Sequence, residues 1–140
     1  NDRCAAGTGR FLEVTAARLG VELGALGPIA AGSRSPAAIS SMCVVFAETE
    51  ITGLLAAGTA RQDIVAGVQA AIAARIVAMA GRNVTAPVIF TGGVAMVSGM
   101  TEALQVALGQ NVTVSPEPQM TGALGAAILA SERKLASELK

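Results

Sequence analysis

Apolar side chains recur every third or fourth position along several stretches of the chain, which is the spacing of an amphipathic helix. The clearest stretch runs from Thr59, a candidate N-cap, to about Gly81. Asp63 lies in its first turn, where a negative charge suits the helix dipole. Similar patterns predict four further helices, over about residues 10–19, 43–57, 100–108 and 121–138. The chain is therefore predicted to be mostly helical.

Two short runs rich in β-branched residues interrupt the helices. They lie at about 88–91 and 111–115, and each is flanked by predicted helices. Two strands alone form only a marginal sheet, and short apolar strands between helices normally belong to a larger one. The predicted fold class is α/β, with these two strands forming part of an incomplete sheet.

The segment from Gly20 to Pro36 is rich in glycine and proline and has little periodicity. Such residues favour turns and irregular structure over helices or strands. We therefore predict a loop with at most a short helical turn around Gly24, serving as a mobile connector.

Composition and charge exclude some classes of function. Ten basic and ten acidic residues cancel, and the three Phe are the only aromatic residues, so no face suited to nucleic acid is predicted. The most apolar helical stretch, Ile64–Ala80, contains Gln69 and Arg75, which favours a buried helix over a membrane span. No export signal is recognised at the start of the sequence. A soluble, cytoplasmic protein with no membrane partner is predicted.

Both cysteines lie where a helix is predicted to begin. Cys4 precedes a glycine turn, and Cys43 follows Ser40 and Ser41, which are candidate N-caps. The residues alone leave three interpretations open: buried small side chains, a redox pair, or ligands of an iron–sulfur cluster at two helix N-termini. A 4Fe-4S cluster takes four thiolates, and the chain has two cysteines and no histidine. The third interpretation therefore requires two subunits.

No catalytic acid–base pair or nucleophile site is recognisable in the sequence. The chain lacks histidine, and its few acidic residues lie on predicted helix faces. Glu13, Glu48 and Glu50 are interpreted as solvated or interface residues. Thr8 and Ser41 are interpreted as helix caps, and no residue is assigned a catalytic role.

Four blocks of sequence resemble the motifs of one family, the activators of 2-hydroxyacyl-CoA dehydratases together with the ATPase subunits of benzoyl-CoA reductase. The blocks follow the family's order and span nearly the whole chain. They are Asn1–Glu13 (NDRCAAGTGRFLE), Ile39–Glu50 (ISSMCVVFAETE), Val88–Ala95 (VIFTGGVA) and Pro118–Ala127 (PQMTGALGAA).

The resemblance implies roles for particular residues. Cys4 and Cys43 match the two positions that ligate a 4Fe-4S cluster shared between two subunits. The family also binds ATP or ADP, with magnesium in the full-length protein. The adenosine motif and the closing helix near the nucleotide correspond to Gly92, Gly93, Val94, Ala95, Gly122 and Ala123.

The resemblance also implies the fold and its organisation. The chain would be the C-terminal part of an actin-like or sugar-kinase-like ATPase domain with ribonuclease-H-like halves. Residues 1–140 would form a single domain or domain fragment, with cluster-binding helices in 1–58 and an adenosine-binding part in 59–140. The family's phosphate-binding motifs would lie upstream of Asn1, so the sequence leaves open whether this chain is itself an enzyme.

The implied function is that of an iron–sulfur electron-transfer activator. Such a protein couples ATP binding and hydrolysis to delivery of a low-potential electron to an acyl-CoA dehydratase or reductase in anaerobic metabolism, as a homodimer or with a paralogous subunit. Two alternatives use the same residues differently. A cluster-free nucleotide-binding fragment would keep the glycine turn and bury the cysteines, and a helical assembly module would pack its Ala-rich faces against a partner.

Overall fold

The computed structural model describes residues 8–40, 43–81 and 84–138. In these ranges the chain forms the helices α1 Thr8–Leu19, α2 Leu26–Ala31, α3 Val44–Ala56, α4 Arg61–Ala80, α5 Met100–Leu108 and α6 Thr121–Glu138, and the strands β1 Val88–Phe90 and β2 Val112–Val114. Short 3₁₀ turns occupy Leu23–Ala25, Gly93–Met96 and Pro118–Met120. The prediction of a mostly helical chain with two short strands is confirmed.

Helix α4 is the central element of the main core. Its buried residues Ile64, Val65 and Val68 belong to one cluster with apolar side chains of α1, α2 and α3. Ala73, further along the helix, belongs to a second cluster with Leu104 of α5 and Val112 of β2. One helix thus connects the helical layer to the sheet.

The two strands pair in parallel, with Val88 opposite Val112 and Phe90 opposite Val114. A parallel pair needs a crossover connection, and α5 supplies it. Among the described residues β1 and β2 form a sheet of two strands, each of three residues. The fold is therefore a partial α/β arrangement, and membership of a larger sheet remains a prediction.

Gly20, Gly58 and Gly81, each with a positive φ, follow the ends of α1, α3 and α4, as the sequence predicts. After α3, Gly58 adopts φ 80°. Its amide donates to the Leu55 carbonyl and the Thr59 amide donates to the Leu54 carbonyl, which is a Schellman motif. The N-cap prediction for α4 is wrong by one residue, because Ala60 and not Thr59 occupies that position.

The predicted loop between Gly20 and Pro36 is largely helical, which corrects the sequence-based expectation. A 3₁₀ turn around Gly24 leads directly into α2. Leu26 is fully buried, and a Cβ placed on Gly27 would lie 2.4 Å from the Ser98 Cβ. Burial of Leu26 and close contact at Gly27 fix the segment against the core, so tertiary packing overrides its weak local helix signal.

Asp63 anchors the residues that follow α2. Its Oδ1 accepts hydrogen bonds from the Ser33 hydroxyl at 2.6 Å and from the Arg34 and Ser35 amides at 3.2 Å each. The Ser33 hydroxyl is the main cause that lowers the pKa of Asp63 from its ordinary value of 3.8. The predicted acidic residue in the first turn of α4 therefore ties the connector to that helix.

Helix α6 and the outer side of β1 expose apolar side chains. Leu124 is 62% exposed and Ile89 is 52% exposed. Ile128 and Leu129 of α6 and Met120 in the turn before it are further large apolar residues with exposed side chains. Apolar exposure on this scale is typical of a surface that another element covers.

Helix α4 is long and apolar enough to cross a membrane by length and composition alone, and α1 with the segment 23–31 forms a bent pair that passes the same test. A core helix passes this test as readily as a membrane span. Ile64, Val65 and Val68 of α4 are each completely buried in the main core. We interpret α4 as a core helix, as the sequence analysis predicts.

Candidate functional site

The glycine turn after β1 adopts a backbone conformation that requires glycine. Gly92 has φ 89° and ψ 171°, a region that residues with a side chain rarely enter. The 3₁₀ turn Gly93–Met96 follows directly. Gly93 has open space around it, since an added Cβ would meet no atom within 4 Å. The strand thus ends in exposed backbone that a ligand can approach closely.

A single carbonyl group joins this turn to the start of α6. The Pro118 carbonyl oxygen accepts a 2.7 Å hydrogen bond from the Gly92 amide and a 2.9 Å bond from the Thr121 hydroxyl. Thr121 begins α6, and Gly122 and Ala123 come next in its first turn. The structure therefore brings the two blocks predicted to bind nucleotide side by side.

The six predicted nucleotide-binding residues differ in exposure. Gly93, Gly122 and Ala123 are exposed, and Gly92 and Val94 are half-buried. The Ala95 side chain is 8% exposed and lies in the protein interior. Ala95 can therefore offer a ligand its backbone, whereas its methyl group supports the turn from within.

An open cleft of about 370 Å³ lies between the Gly93 turn and the first turns of α1. Gly9, Glu13, Gly93 and Val94 are among its lining residues. A Cβ on Gly9 would stand in ordinary contact with the Val94 side chain, at 3.6 Å. The glycine-rich start of α1 and the turn after β1 thus form two walls of one cleft.

Glu13 is a candidate residue that the sequence analysis interprets differently. Its side chain lines the cleft and forms an ion pair with Arg10 at 3.0 Å. Gly9 and Glu13 are four residues apart on a helix and so share a face. That spacing is the signal that could have placed Glu13 beside the glycine turn.

Cys43 is the N-cap of α3, with φ −92° and ψ 133°, and it is exposed. This confirms the prediction that Cys43 lies in or beside the first turn. Val45 and Phe46 follow it and are 67% and 68% exposed. Cys4 and Ser41 lie outside the described residues, so the structure makes no statement about the distance between the two cysteines.

Ser40 does not act as a helix cap. Its amide and hydroxyl donate to Oε1 of Glu50 at 2.9 and 3.0 Å. Glu48 is also engaged, because the Arg18 guanidinium donates to its Oε1 from both Nε and Nη2. Both glutamates, interpreted from sequence as solvated or interface residues, therefore tie α3 to neighbouring segments.

The described residues contain no group of three or more His, Cys, Asp or Glu side chains that could hold a metal ion. The described part of the chain offers one thiol, on Cys43 at a helix N-terminus. A thiolate there fits one ligand position of an iron–sulfur cluster. A complete ligand set requires Cys4 and further cysteines from a second chain.

A model of the BadF/BadG/BcrA/BcrD ATPase family matches residues 1–130. The chain is 45% identical over 134 residues to the (R)-2-hydroxyglutaryl-CoA dehydratase activating ATPase of Acidaminococcus fermentans, covering 95% of this chain and 52% of that protein. It is 41% identical over 139 residues to the 2-hydroxyisocaproyl-CoA dehydratase activator of Clostridioides difficile, and the match covers 99% of this chain and 52% of that protein.

A solved structure shows the same likeness in three dimensions. The activator of the 2-hydroxyisocaproyl-CoA dehydratase from Clostridium difficile, with bound ADPNP, matches this chain with a TM-score of 0.84 and 41% identity. The match covers 100% of this chain and 53% of that one. The chain therefore spans about half the length of the relatives it matches.

Proposed function

Because the chain belongs to the BadF/BadG/BcrA/BcrD ATPase family, we propose that it is the nucleotide- and cluster-binding part of an ATP-dependent activator of an acyl-CoA dehydratase or reductase. The family assignment and the names of the relatives support an activator role. The activity of the complete protein and the identity of its partner belong to this proposal, since the chain corresponds to half of each relative.

The observation that carries the proposal is the junction at Pro118. One carbonyl group accepts hydrogen bonds from the Gly92 amide and the Thr121 hydroxyl, so the two glycine-containing blocks lie side by side. We propose that the adenosine portion of ATP or ADP binds there. Its contacts are assigned to Gly92, Gly93, Val94, Ala95, Gly122 and Ala123, with Glu13 in the opposite wall of the cleft.

Cys4 and Cys43 are proposed as this chain's ligands to a 4Fe-4S cluster. Cys43 suits this role because it is exposed, occupies the N-cap of a helix and forms no disulfide with the residues that the structure describes. A second copy of the chain, or a paralogous subunit, would supply the other two thiolates. When bound, such a cluster supplies one-electron transfer chemistry.

We propose that residues 1–58 form the cluster-binding part and residues 59–140 the adenosine-binding part. The division is one of function and not of packing, because α1 and α3 share a core with α4. Helix α1 also contributes Gly9 and Glu13 to the cleft wall. A nucleotide can act on the cysteine-bearing helices only by favouring one of their arrangements, and shared packing provides a route for that coupling.

The exposed apolar side chains of α6 and of β1 favour additional elements packed against them. Ile89, Leu124 and Leu129 are each at least half exposed. We propose that further strands and helices of the complete protein cover these side chains and extend the sheet. The exposed apolar side chains, which would otherwise favour a helical assembly module, are then explained by packing within the complete protein.

Nucleotide binding by the full-length protein tests the proposal at its central residues. Gly93→Ala places a methyl group in open space, so the fold tolerates it while the nucleotide loses its close approach. We expect at least about a tenfold rise in the Kd for ADP by isothermal titration calorimetry. Gly125→Ala in α6 is the matched control, since its Cβ also meets no atom within 4 Å and no contact is assigned to it.

Equal ADP affinity for Gly93→Ala and the unchanged protein would contradict the proposed site. Equal loss in Gly93→Ala and Gly125→Ala would also contradict it, because a general effect of added methyl groups would then explain the result. Thermal unfolding of both variants checks that each remains folded.

A further inference from the structure

Helix α1 contacts both parts of the proposed site. Near its start, Gly9 and Glu13 line the cleft beside Gly93. Near its end, Arg18 reaches across to α3, the helix that begins after Cys43. Helix α1 therefore connects the proposed nucleotide cleft with the helix that carries a proposed cluster ligand at its N-terminus.

The contact between Arg18 and Glu48 is an ion pair between the two helices. Arg18 Nε donates to Glu48 Oε1 at 2.7 Å, and Nη2 donates to the same oxygen. Glu48 lies in the second turn of α3, five residues after Cys43. Beside it, Ala47 and Ile51 are completely buried in the core shared with α1. The ion pair thus fixes the outer edge of a contact whose inner side is apolar.

The exposure of the ion pair indicates that it contributes more to the relative position of α1 and α3 than to the free energy of folding. The side chains of Arg18 and Glu48 are 52% and 32% exposed. Exposed ion pairs contribute little to folding because water and salt screen them. The planar guanidinium nevertheless restricts the relative position of the groups it joins more than a lysine would. Such a pair can favour one arrangement of two packed helices without being needed for folding.

We infer that Arg18 is a positioning residue whose ion pair with Glu48 couples nucleotide binding in the cleft to the arrangement of the helix that begins after Cys43. This inference rests on the proposed function, since it assumes a nucleotide in the cleft. Nucleotide binding shifts α1 through the cleft wall, and the ion pair transmits that shift to α3. Without the pair, nucleotide binds but α3 no longer responds.

The reactivity of the Cys43 thiol measures this response directly. The cluster-free, reduced full-length protein is treated with iodoacetamide, with and without saturating ADP or a non-hydrolysable ATP analogue. Modification of the peptide containing Cys43 is followed by mass spectrometry. The variants are Arg18→Gln, the charge exchange Arg18→Glu with Glu48→Arg, and the control Arg61→Gln, which removes an exposed arginine at the start of α4.

In the unchanged protein we expect nucleotide to alter the Cys43 modification rate by about two- to fivefold, the range that an exposed ion pair can carry. Arg18→Gln should bind nucleotide with unchanged Kd but lose the difference in modification rate. The charge exchange should restore most of that difference, and Arg61→Gln should retain all of it. The inference would be overturned if nucleotide changed the Cys43 modification rate in Arg18→Gln as much as in the unchanged protein. It would also be overturned if Arg61→Gln lost the rate difference as fully as Arg18→Gln.

Two further outcomes separate this inference from the proposed function. If the unchanged protein binds nucleotide but Cys43 reacts at the same rate with and without it, the inferred coupling is wrong and the proposed nucleotide site is unaffected. If the unchanged protein binds no nucleotide, the proposed function fails, and the coupling fails with it.

Discussion

The Gly92 amide and the Pro118 carbonyl oxygen form a 2.7 Å hydrogen bond that holds the turn after β1 against the turn before α6. Gly92 can make this bond because it adopts φ 89° and ψ 171°, a conformation essentially restricted to glycine. Gly92 and Pro118 are 26 positions apart in the sequence, and the parallel pairing of β1 with β2 brings the ends of the two strands to the same edge, next to this hydrogen bond. The backbone of Gly92 therefore joins the two blocks of sequence that form the proposed nucleotide site.

Gly92→Ala should destabilise the protein through backbone strain alone. An added Cβ meets no atom within 4 Å, so no side-chain clash contributes. We expect a loss of about 1–3 kcal/mol in the free energy of unfolding, measured by urea denaturation. Gly93→Ala is the control, because Gly93 lies outside the left-handed region and also has open space. Equal stability of the two variants would contradict the strain at Gly92.

Gly67→Ala should destabilise the protein by steric overlap in the core. Gly67 is buried in α4, and an added Cβ would lie 2.1 Å from the Ala37 carbonyl oxygen. Backbone atoms cannot rotate away, so α4 and the segment at Ala37 must separate. We expect a loss of about 1–3 kcal/mol or more in the free energy of unfolding.

Gly53→Ala is the matched control for this helix substitution. Gly53 is exposed in α3, and its added Cβ meets no atom within 4 Å. Alanine should therefore stabilise the helix by up to about 1 kcal/mol. Destabilisation by Gly53→Ala comparable with that of Gly67→Ala would rule out overlap with Ala37 as the cause.

Asp63 should make stability depend on pH in the acidic range. Its pKa lies below 3.8, first because of the Ser33 hydroxyl and then because of the Ser35 amide, with a further contribution from the Arg34 amide against the opposing effect of burial. A lowered pKa in the folded state stabilises the protein at pH values above the unfolded pKa. That contribution is lost as the pH falls from about 3.8 through the folded pKa.

The comparison of Asp63→Asn with the unchanged protein measures this contribution. The variant should be less stable near neutral pH, and the difference in unfolding free energy should shrink as the pH falls below about 4. Ser33→Ala removes the largest cause of the shift and should reduce the same pH dependence in part. A difference that stays constant down to about pH 2 would contradict the assignment.

The sequence predicts long periodic elements well because burial gives them a regular pattern. Helix α5 is observed at the predicted residues, and α4 and α6 end near the predicted ones. The glycines that end helices were recognisable because a left-handed residue such as Gly58 is costly for other side chains. For these elements, local propensity and tertiary packing favour the same structure.

Prediction fails where a contact distant in sequence decides the outcome. Helix α2 forms because Leu26 is buried and Gly27 approaches Ser98, neither of which is visible in a segment rich in glycine and proline. Ser40 bonds to Glu50 instead of capping a helix. Glu13 faces the cleft because α1 packs beside the turn at Gly93. Each case depends on which surfaces meet in the folded chain.

The motif blocks predicted the site more fully than periodicity could. They named both sides of the proposed nucleotide site, and the structure brings the turn at Gly92 and the start of α6 together. They also named Cys43, which occupies the N-cap position of α3. The assignment of these residues to a nucleotide and a cluster remains a prediction, because it concerns ligands and not the folded chain.

Iron and sulfide content of the anaerobically reconstituted full-length protein, measured together with its mass in solution, tests the central claim most directly. We predict about two irons per chain in a dimer joined by the cluster, with loss of iron in both Cys4→Ser and Cys43→Ser. Both variants should keep their affinity for ADP. A folded protein that binds nucleotide but takes up no iron, under conditions that reconstitute a control ferredoxin, would contradict the shared cluster and leave a nucleotide-binding protein whose cysteines are ordinary thiols.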